Sequence, residues 1–366
     1  MLIRRLVLEN FRNIRSHEID TCAKQIILKG ENGQGKTNLL EAVYILCYGS
    51  SFKTQNLREA VTYGTGFFRL SSVFTDSQEL ERKTDISFED GEKHIRLDGK
   101  EIRDRKELIY CLPCIVFSHD DIEFVRGEPE NRRRFFDQTM TMYDPVFFDD
   151  LRRYKTVLKH RNAAIKDRRT ELLDIYDEKL AVCGIPLIKA RSKVCKAFSA
   201  IFPDIYDAVS LEESGMKISY RPSWDEDMTE DMIIGKLFDQ REVDLKMNTT
   251  TSGPHRDRFV ITNRNGLFVS GASTGQMRLS SLVMRSAQAA FFRQKTGLDP
   301  IFLMDDVLLE LDAQKRSRYL SYLGYYNQAF FTFLPEEKYF GSFIDLDKEG
   351  SLTYTVKDGE FINGRT

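Results

Sequence analysis

Hydrophobic and polar positions divide the chain into stretches of different period. Over the first 118 residues the period is two. "RRLVLENF", "KQIILKG", "FFRLSSVF", "KTDISF" and "KHIRLDG" alternate or run apolar as strands do, with turns at Glu89-Asp90-Gly91 and Asp98-Gly99. One helix interrupts them, "TNLLEAVYILCYG", closed by Gly49. From about Glu128 to Pro203 the spacing becomes three to four, with Leu151, Tyr154, Leu158 and Ile165 on one face. Gly184-Ile185-Pro186 predicts a break before "LIKARSKVCKAFSAIF" resumes the helix. The pattern is an antiparallel helical arm with legs of about 20 residues, roughly 30 Å. Residues 204–244 are less regular, although Trp224 and Ile233-Ile234 mark them as folded. Strands "RFVITN" and "GLFVSG" then lead to a long helix, "SLVMRSAQAAFFRQK". A buried strand "DPIFLMDD", a helix around 313–326 and a last strand "AFFTFL" follow, with no internal repeat and no low-complexity linker.

Composition narrows the class. With 366 residues, 41% hydrophobic and 30% charged, the chain can bury a large core as one big domain or two lobes. No apolar run approaches the length of a membrane helix, and "MLIRRLVLENFRNIRS" alternates like a strand instead of forming a signal peptide. Six cysteines in so long a chain indicate a reducing, cytoplasmic setting, and Cys111-Leu-Pro-Cys114, lacking a second ligand pair, reads as two buried thiols and not a zinc site. A net charge of −2 hides an uneven distribution. Residues 152–169 carry eight Lys/Arg against Asp167, a local +7, while residues 204–244 carry twelve Asp/Glu against four Lys/Arg, a local −8. One face can therefore attract an anionic polymer although the whole molecule does not.

The strongest chemistry lies at "IILKGENGQGKTN". Gly30-x4-Gly35-Lys36-Thr37 is a phosphate-binding loop in its required setting, after an apolar strand and before a helix. Gly33 and Gly35 let backbone N–H groups curl toward phosphate oxygens, Lys36 is expected to neutralise the β/γ phosphates, and the Thr37 hydroxyl is an expected Mg²⁺ ligand. In "PIFLMDDVLLELD" four apolar residues end in Asp305-Asp306, a strand delivering carboxylates where open α/β sheets bind ligands. Asp305 is expected to hold Mg²⁺ and Asp306 to accept the proton of the attacking water. A second anion-binding helix start lies in "GASTGQMRLS", where Ser273, Gly275 and Gln276 open the long helix.

These stretches, with "LENFRNI" (8–14), "SFKT" (51–54), "VRGEPENRRRFFD" (125–137), "LKHRNAAIK" (158–166), "SGPHRD" (252–257) and "STGQMR" (273–278), resemble the RecF family of the SMC-like ABC ATPases, in order along most of the chain. "FSHDD" (117–121) departs from the family pattern by having His119 where a proline is expected, and "FFTFLPEE" (330–337) lacks the usual small or hydroxyl run, leaving Thr332 as the candidate γ-phosphate switch. The resemblance implies an α/β fold: an ABC-type P-loop ATPase head with a helical second lobe and a short arm. Residues 1–118 and 296–366 would form the ATPase lobe, and 119–295 the helical lobe with the basic arm and signature motif. It implies that Arg12, Asn13, Asn32, Gly33, Gln34, Gly35, Lys36, Thr37 and Asn38 bind the nucleotide. Ser273, Gly275 and Gln276 would contact the γ-phosphate held by a second subunit, so that ATP joins two heads and Ser273 completes the catalytic set in trans.

The function implied is an ATP-dependent clamp, a homodimer on double-stranded DNA and single-/double-strand junctions. It would act in recombinational repair of gaps, with weak Mg²⁺-dependent hydrolysis for release and with the mediator proteins RecR and RecO as partners. Arg132, Arg152, Arg153, Lys155 and Lys159 are the expected DNA contacts, cationic and without base-reading side chains, hence to phosphate. Arg161-Asn162 and Arg133-Arg134 are candidates for bracing the fold instead. The alternative is the ATP-hydrolysing subunit of a membrane transporter. That reading calls for a glutamate in place of Asp306, a histidine in place of Thr332, and no basic arm.

Overall fold

The computed structural model describes residues 1–323, 326–336 and 350–364, which divide into two compact units, Met1–Asp121 with Phe292–Thr366 and Ile122–Phe291.

The first unit holds two sheets. Alternating residues build an antiparallel sheet in the order Ile14–Asp20, Leu2–Phe11, Phe67–Thr75, Glu81–Glu89, Glu92–Leu97, Lys100–Glu101, burying every second side chain along its inner strands. The second sheet runs Glu360–Asn363, Ser351–Lys357, Gln25–Lys29, Gln328–Phe333, Ile301–Met304, Cys114–Phe117, parallel except for its first pair. Its central strands are buried along nearly their whole length, as the continuous apolar runs "IIL", "IFLM" and "AFFTF" require of a sheet covered on both faces. The helix Lys36–Tyr48 packs against strands of both sheets, which is why it is apolar on every side.

The helix around 313–326 is observed as Ala313–Tyr322, and residues 324 and 325 lie outside the described residues. "AFFTFL" is not the last strand. Ser351–Lys357 and Glu360–Asn363 follow, joined at Asp358-Gly359, both with positive φ as a tight hairpin requires.

The second unit is mainly helical. Pro129–Thr141 precedes an antiparallel pair, Pro145–Lys166 and Leu173–Ser210. Asp144 caps the first leg by accepting from the Val146 and Phe147 N–H groups, worth about 1 kcal/mol. The predicted break at Gly184-Ile185-Pro186 does not exist: Leu173–Ser210 is one helix of 38 residues running through both Pro186 and Pro203. At 1.5 Å per residue it is about 57 Å long, nearly twice the expected leg. Packing overrides the local penalty of proline, since Leu180, Ala181, Leu187 and Ile188 are buried around the site and Gly184 admits the Trp224 ring, which a Cβ there would meet at 2.4 Å. The chain reverses instead between Lys166 and Leu173, with Arg168 at positive φ. The irregular acidic segment contains the end of this helix, the strand Lys217–Arg221 and the helices Glu230–Asp239 and Arg241–Met247. Lys217–Arg221 joins Arg258–Asn263 and Gly266–Leu267 in a small sheet.

Candidate functional site

The parallel sheet brings two loops together at its strand ends. After Lys29, Gly33 (φ 80) and Gly35 (φ 117) take the left-handed backbone that lets the loop curl back on itself. Gly30 is needed for another reason, because a Cβ there would lie 2.4 Å from the Val356 carbonyl oxygen of the neighbouring strand. The helix starts at Lys36 with no side-chain cap among the described residues, so its first-turn N–H groups offer an anion site.

Lys36 is 3% exposed, and its ammonium donates to the Gly30 carbonyl at 2.6 Å. It lies 3.4 Å from the Glu31 carbonyl and 3.7 Å from Asp306 Oδ2. Thr37 Oγ1 donates to Asp305 Oδ1 at 2.6 Å, joining two loops 268 residues apart in sequence. Burial pushes the Asp305 carboxyl up from its ordinary value, opposed by the Thr37 hydrogen bond, with Asp306 adding to the upward push. Asn32, Gly33, Gly35, Lys36, Thr37, Asn38 and Asp306 line a cavity of about 150 Å³, together with Glu31 and Lys53. That volume suits a phosphate tail and is well below the several hundred Å³ of pockets that enclose a whole drug-sized ligand.

The remaining expected nucleotide residues make hydrogen bonds within the unit. Arg12 is held by Glu41 through two hydrogen bonds, 2.9 and 2.7 Å, and by the Glu59 carbonyl at 2.8 Å. Asn13 donates to the Gln34 carbonyl at 3.0 Å and accepts from Asn38 at 2.9 Å. Gln34 also accepts from the Gly359 N–H through its carbonyl and from the Asp358 N–H through Oε1, at 2.9 and 2.7 Å. Asn13, Gln34 and the C-terminal turn therefore hold the loop in shape.

That turn was not expected from the sequence, although "SLTYTVKDGEF" alternates and carries an Asp-Gly signal. Lys53, in "SFKT", is a further lining residue not expected from the sequence. Lys53 donates to Asn38 Oδ1 at 3.2 Å, and burial pushes its amine down. Thr332 is corrected outright. It is 1% exposed, and its hydroxyl is engaged by Asp306 in the sheet, so it does not face a phosphate from this position.

Mg²⁺ needs only one or two protein oxygens, the rest being water and phosphate. The adjoining Thr37 hydroxyl and Asp305 carboxylate fit that requirement. Cys111 and Cys114 are free thiols, and no cluster of three metal-binding side chains occurs among the described residues.

The second unit carries the other expected residues. Ser273 and Gln276 form a reciprocal cap: Ser273 N donates to Gln276 Oε1 at 2.9 Å and Gln276 N to Ser273 Oγ at 3.2 Å. Ser273 and Gly275 are exposed at the start of the helix Thr274–Thr296. On the arm, Arg152, Arg153, Lys155 and Lys159 are exposed along Pro145–Lys166. Arg132, expected beside them, is half-buried instead and clamps the Val125 and Gly127 carbonyls at 2.9 and 3.0 Å; Arg134 is the exposed member of its triplet. Arg133 donates to the Asp257 carbonyl at 2.8 Å, and Arg161 is fully buried against Asp177 and Asp244, each 2.6 Å away, so both brace the fold.

Comparison with known proteins agrees in extent. The RecF/RecN/SMC N terminal domain family matches residues 2–338. The chain is 41% identical to the DNA replication and repair protein RecF of Treponema pallidum over 354 residues, 96% of this chain and 98% of that one. It is 32% identical to RecF of Acetivibrio thermocellus, over 97% of this chain and 100% of the other. Among solved structures, that of the recombination mediator protein RecF-ATP in the RecFOR pathway has a TM-score of 0.89 at 26% identity, covering 99% of this chain and 97% of that one. An Smc head bound to the C-winged helix domain of ScpA, at 16% identity and a TM-score of 0.59 over 99% and 97%, shares the fold.

Proposed function

The chain belongs to the RecF family of DNA replication and repair proteins, and on that premise we propose that it is an ATP-gated clamp on DNA. ATP binding pairs two copies on double-stranded DNA or at gap junctions, slow hydrolysis separates them, and the pathway partners are RecO and RecR. The observation that carries this reading is the junction of Thr37 with Asp305 at 2.6 Å beside the buried Lys36 ammonium, a cleft made for a phosphate tail and one hard cation. The solved RecF-ATP relative supports ATP as the nucleotide.

Each residue has a task in this scheme. The first-turn N–H groups and Lys36 bind the phosphates, and Thr37 and Asp305 hold Mg²⁺. When bound, Mg²⁺ neutralises charge that develops on the phosphoryl oxygens. Asp306 takes the proton of the attacking water through Oδ2, the oxygen facing Lys36. The exposed N-terminus of the helix after Ser273 supplies anion-binding N–H groups to the nucleotide of a second copy. That interaction exists only while the γ-phosphate does, which makes ATP the link between two heads. Arg152, Arg153, Lys155 and Lys159 contact DNA phosphates without reading bases. The transporter alternative has lost its ground, since the chain matches a DNA replication and repair protein over nearly its whole length.

Sedimentation with and without ATP tests the reading. The parent protein should dimerise with ATP, and Asp306→Asn should give a longer-lived dimer that hydrolyses little. A protein that stays monomeric with ATP and DNA at every salt concentration would overturn the proposal.

A further inference from the structure

We propose that Thr332 is the positioning residue for Asp306, fixing which carboxylate oxygen is left to act in the cleft. The inference rests on the reading of Asp306 as proton acceptor and names what holds it in place. Thr332 belongs to Gln328–Phe333, which pairs with Ile301–Met304 in parallel, Met304 opposite Phe331. It is a hydroxyl in a strand otherwise rich in phenylalanine, and a buried hydroxyl needs a partner.

Asp306 is that partner twice over. Its N–H donates to Thr332 Oγ1 at 2.8 Å, and its Oδ1 lies 2.8 Å from the same oxygen. A hydroxyl has one proton to give. Asp306 Oδ1 takes it, in preference to Asp305 Oδ1 and the Met304 carbonyl, both at 3.4 Å.

The clamp acts on backbone and side chain together. Asp306 sits at φ 54 and ψ 11, a left-handed conformation that a residue with a side chain adopts seldom and that Asp tolerates better than most. Tying its N–H to Thr332 holds that turn at the strand end, and tying Oδ1 fixes the carboxylate. Oδ2 is then left toward Lys36, 3.7 Å away, at the wall of the phosphate cavity. Thr332 is 1% exposed and does not line the cavity, and its two shortest hydrogen bonds both go to Asp306.

The test compares Thr332→Ser, Thr332→Val, Thr332→Ala and Asp306→Asn in the full-length protein. It measures kcat and KM for ATP, equilibrium ATP affinity and, without nucleotide, hydrogen exchange of the Asp306 amide. Val and Ala should lower kcat roughly ten- to a hundredfold through misplacement of the acceptor, with KM and ATP affinity changed by less than about twofold. Serine, which keeps the hydroxyl, should restore kcat to within about threefold of the parent. The Asp306 amide should exchange faster in Val and Ala, and not in Ser. Parental turnover in Val or Ala beside an inactive Asp306→Asn would overturn the positioning role and leave the acceptor intact. A loss of ATP affinity in step with kcat would mean general loosening and overturn it as well. Parental hydrolysis by Asp306→Asn would remove the acceptor, and this inference with it.

Discussion

Lys36 and Arg191 are buried to the same degree, each 3% exposed, yet their surroundings differ in kind. Arg191 in the helical unit has every donor group engaged. Nε and Nη2 meet the two oxygens of Asp137 at 2.9 Å each, and Nη1 meets the Pro254 carbonyl at 2.6 Å and Asp257 at 2.8 Å. Tyr220 and the Ser223 N–H complete the shell of Asp257. Lys36 has one short bond, to the Gly30 carbonyl, while its carboxylate neighbour stands off at 3.7 Å beside a cavity. A buried charge whose partners are complete holds a fold together, and one whose partners are incomplete is prepared for a ligand.

The largest effects should come from exchanging these fates. Arg191→Met leaves Asp137 and Asp257 buried without their cation and should destabilise the helical unit by about 3–5 kcal/mol in urea unfolding. Lys36→Ala should leave the melting temperature nearly unchanged and reduce ATP affinity at least about a hundredfold, measured by equilibrium titration. If Lys36→Ala unfolds the protein, or keeps its ATP affinity, the distinction fails.

The arm sharpens the same contrast with charges that are exposed. Arg152→Glu, Arg153→Glu and Lys155→Glu together should weaken DNA binding similarly for every sequence and reduce the slope of log affinity against log salt by about 3. Arg152 also stacks over Phe148 at 4.9 Å and Arg153 is 3.7 Å from Asp150, both ordinary surface contacts. A loss confined to one DNA sequence would contradict phosphate contact.

The smallest effect concerns His255, which lies in the same loop as Pro254 and Asp257. Nδ1 lies 2.7 Å from the Tyr154 hydroxyl and Nε2 donates to the Thr250 carbonyl at 2.9 Å, so both ring nitrogens have partners inside the protein. Burial pushes its pKa down from 6.5 to about 4. The unfolded chain therefore takes up this proton first, so the stabilisation is complete above the unfolded value and declines as pH falls toward the folded one. The decline should amount to on the order of 2–3 kcal/mol. Urea midpoints from pH 7 to 4 should fall more steeply for the parent than for His255→Gln. Equal slopes would mean that His255 does not titrate in this window.

Much of the nucleotide cleft was legible because its signals are local. Glycine and lysine spacing marks the loop, and an apolar run ending in Asp305-Asp306 marks the opposite wall. What escaped depends on contacts distant in sequence. Thr332 and Asp306 meet only because two strands pair, and the distinction between Arg132 and Arg134 depends on which one reaches the Val125 and Gly127 carbonyls. Pro186 carries a real local penalty, but the buried face of a 38-residue helix outweighs it. The C-terminal hairpin was different: its Asp358-Gly359 turn was present in the sequence, and its purpose became clear only once it was found bonded to Gln34.

Mixing two damaged proteins tests most directly the proposal that each nucleotide site draws residues from two copies of the chain. Lys36→Ala lacks a working phosphate loop and keeps an intact signature helix. Ser273→Arg keeps the loop and places a bulky cation at the helix start. Dimer formation with ATP would be measured by sedimentation for each alone and for an equal mixture. Neither alone should pair, and the mixture should recover part of the parental dimer, because one of its two composite sites is whole. Normal ATP-dependent pairing by Ser273→Arg alone, or no recovery in the mixture, would contradict the claim.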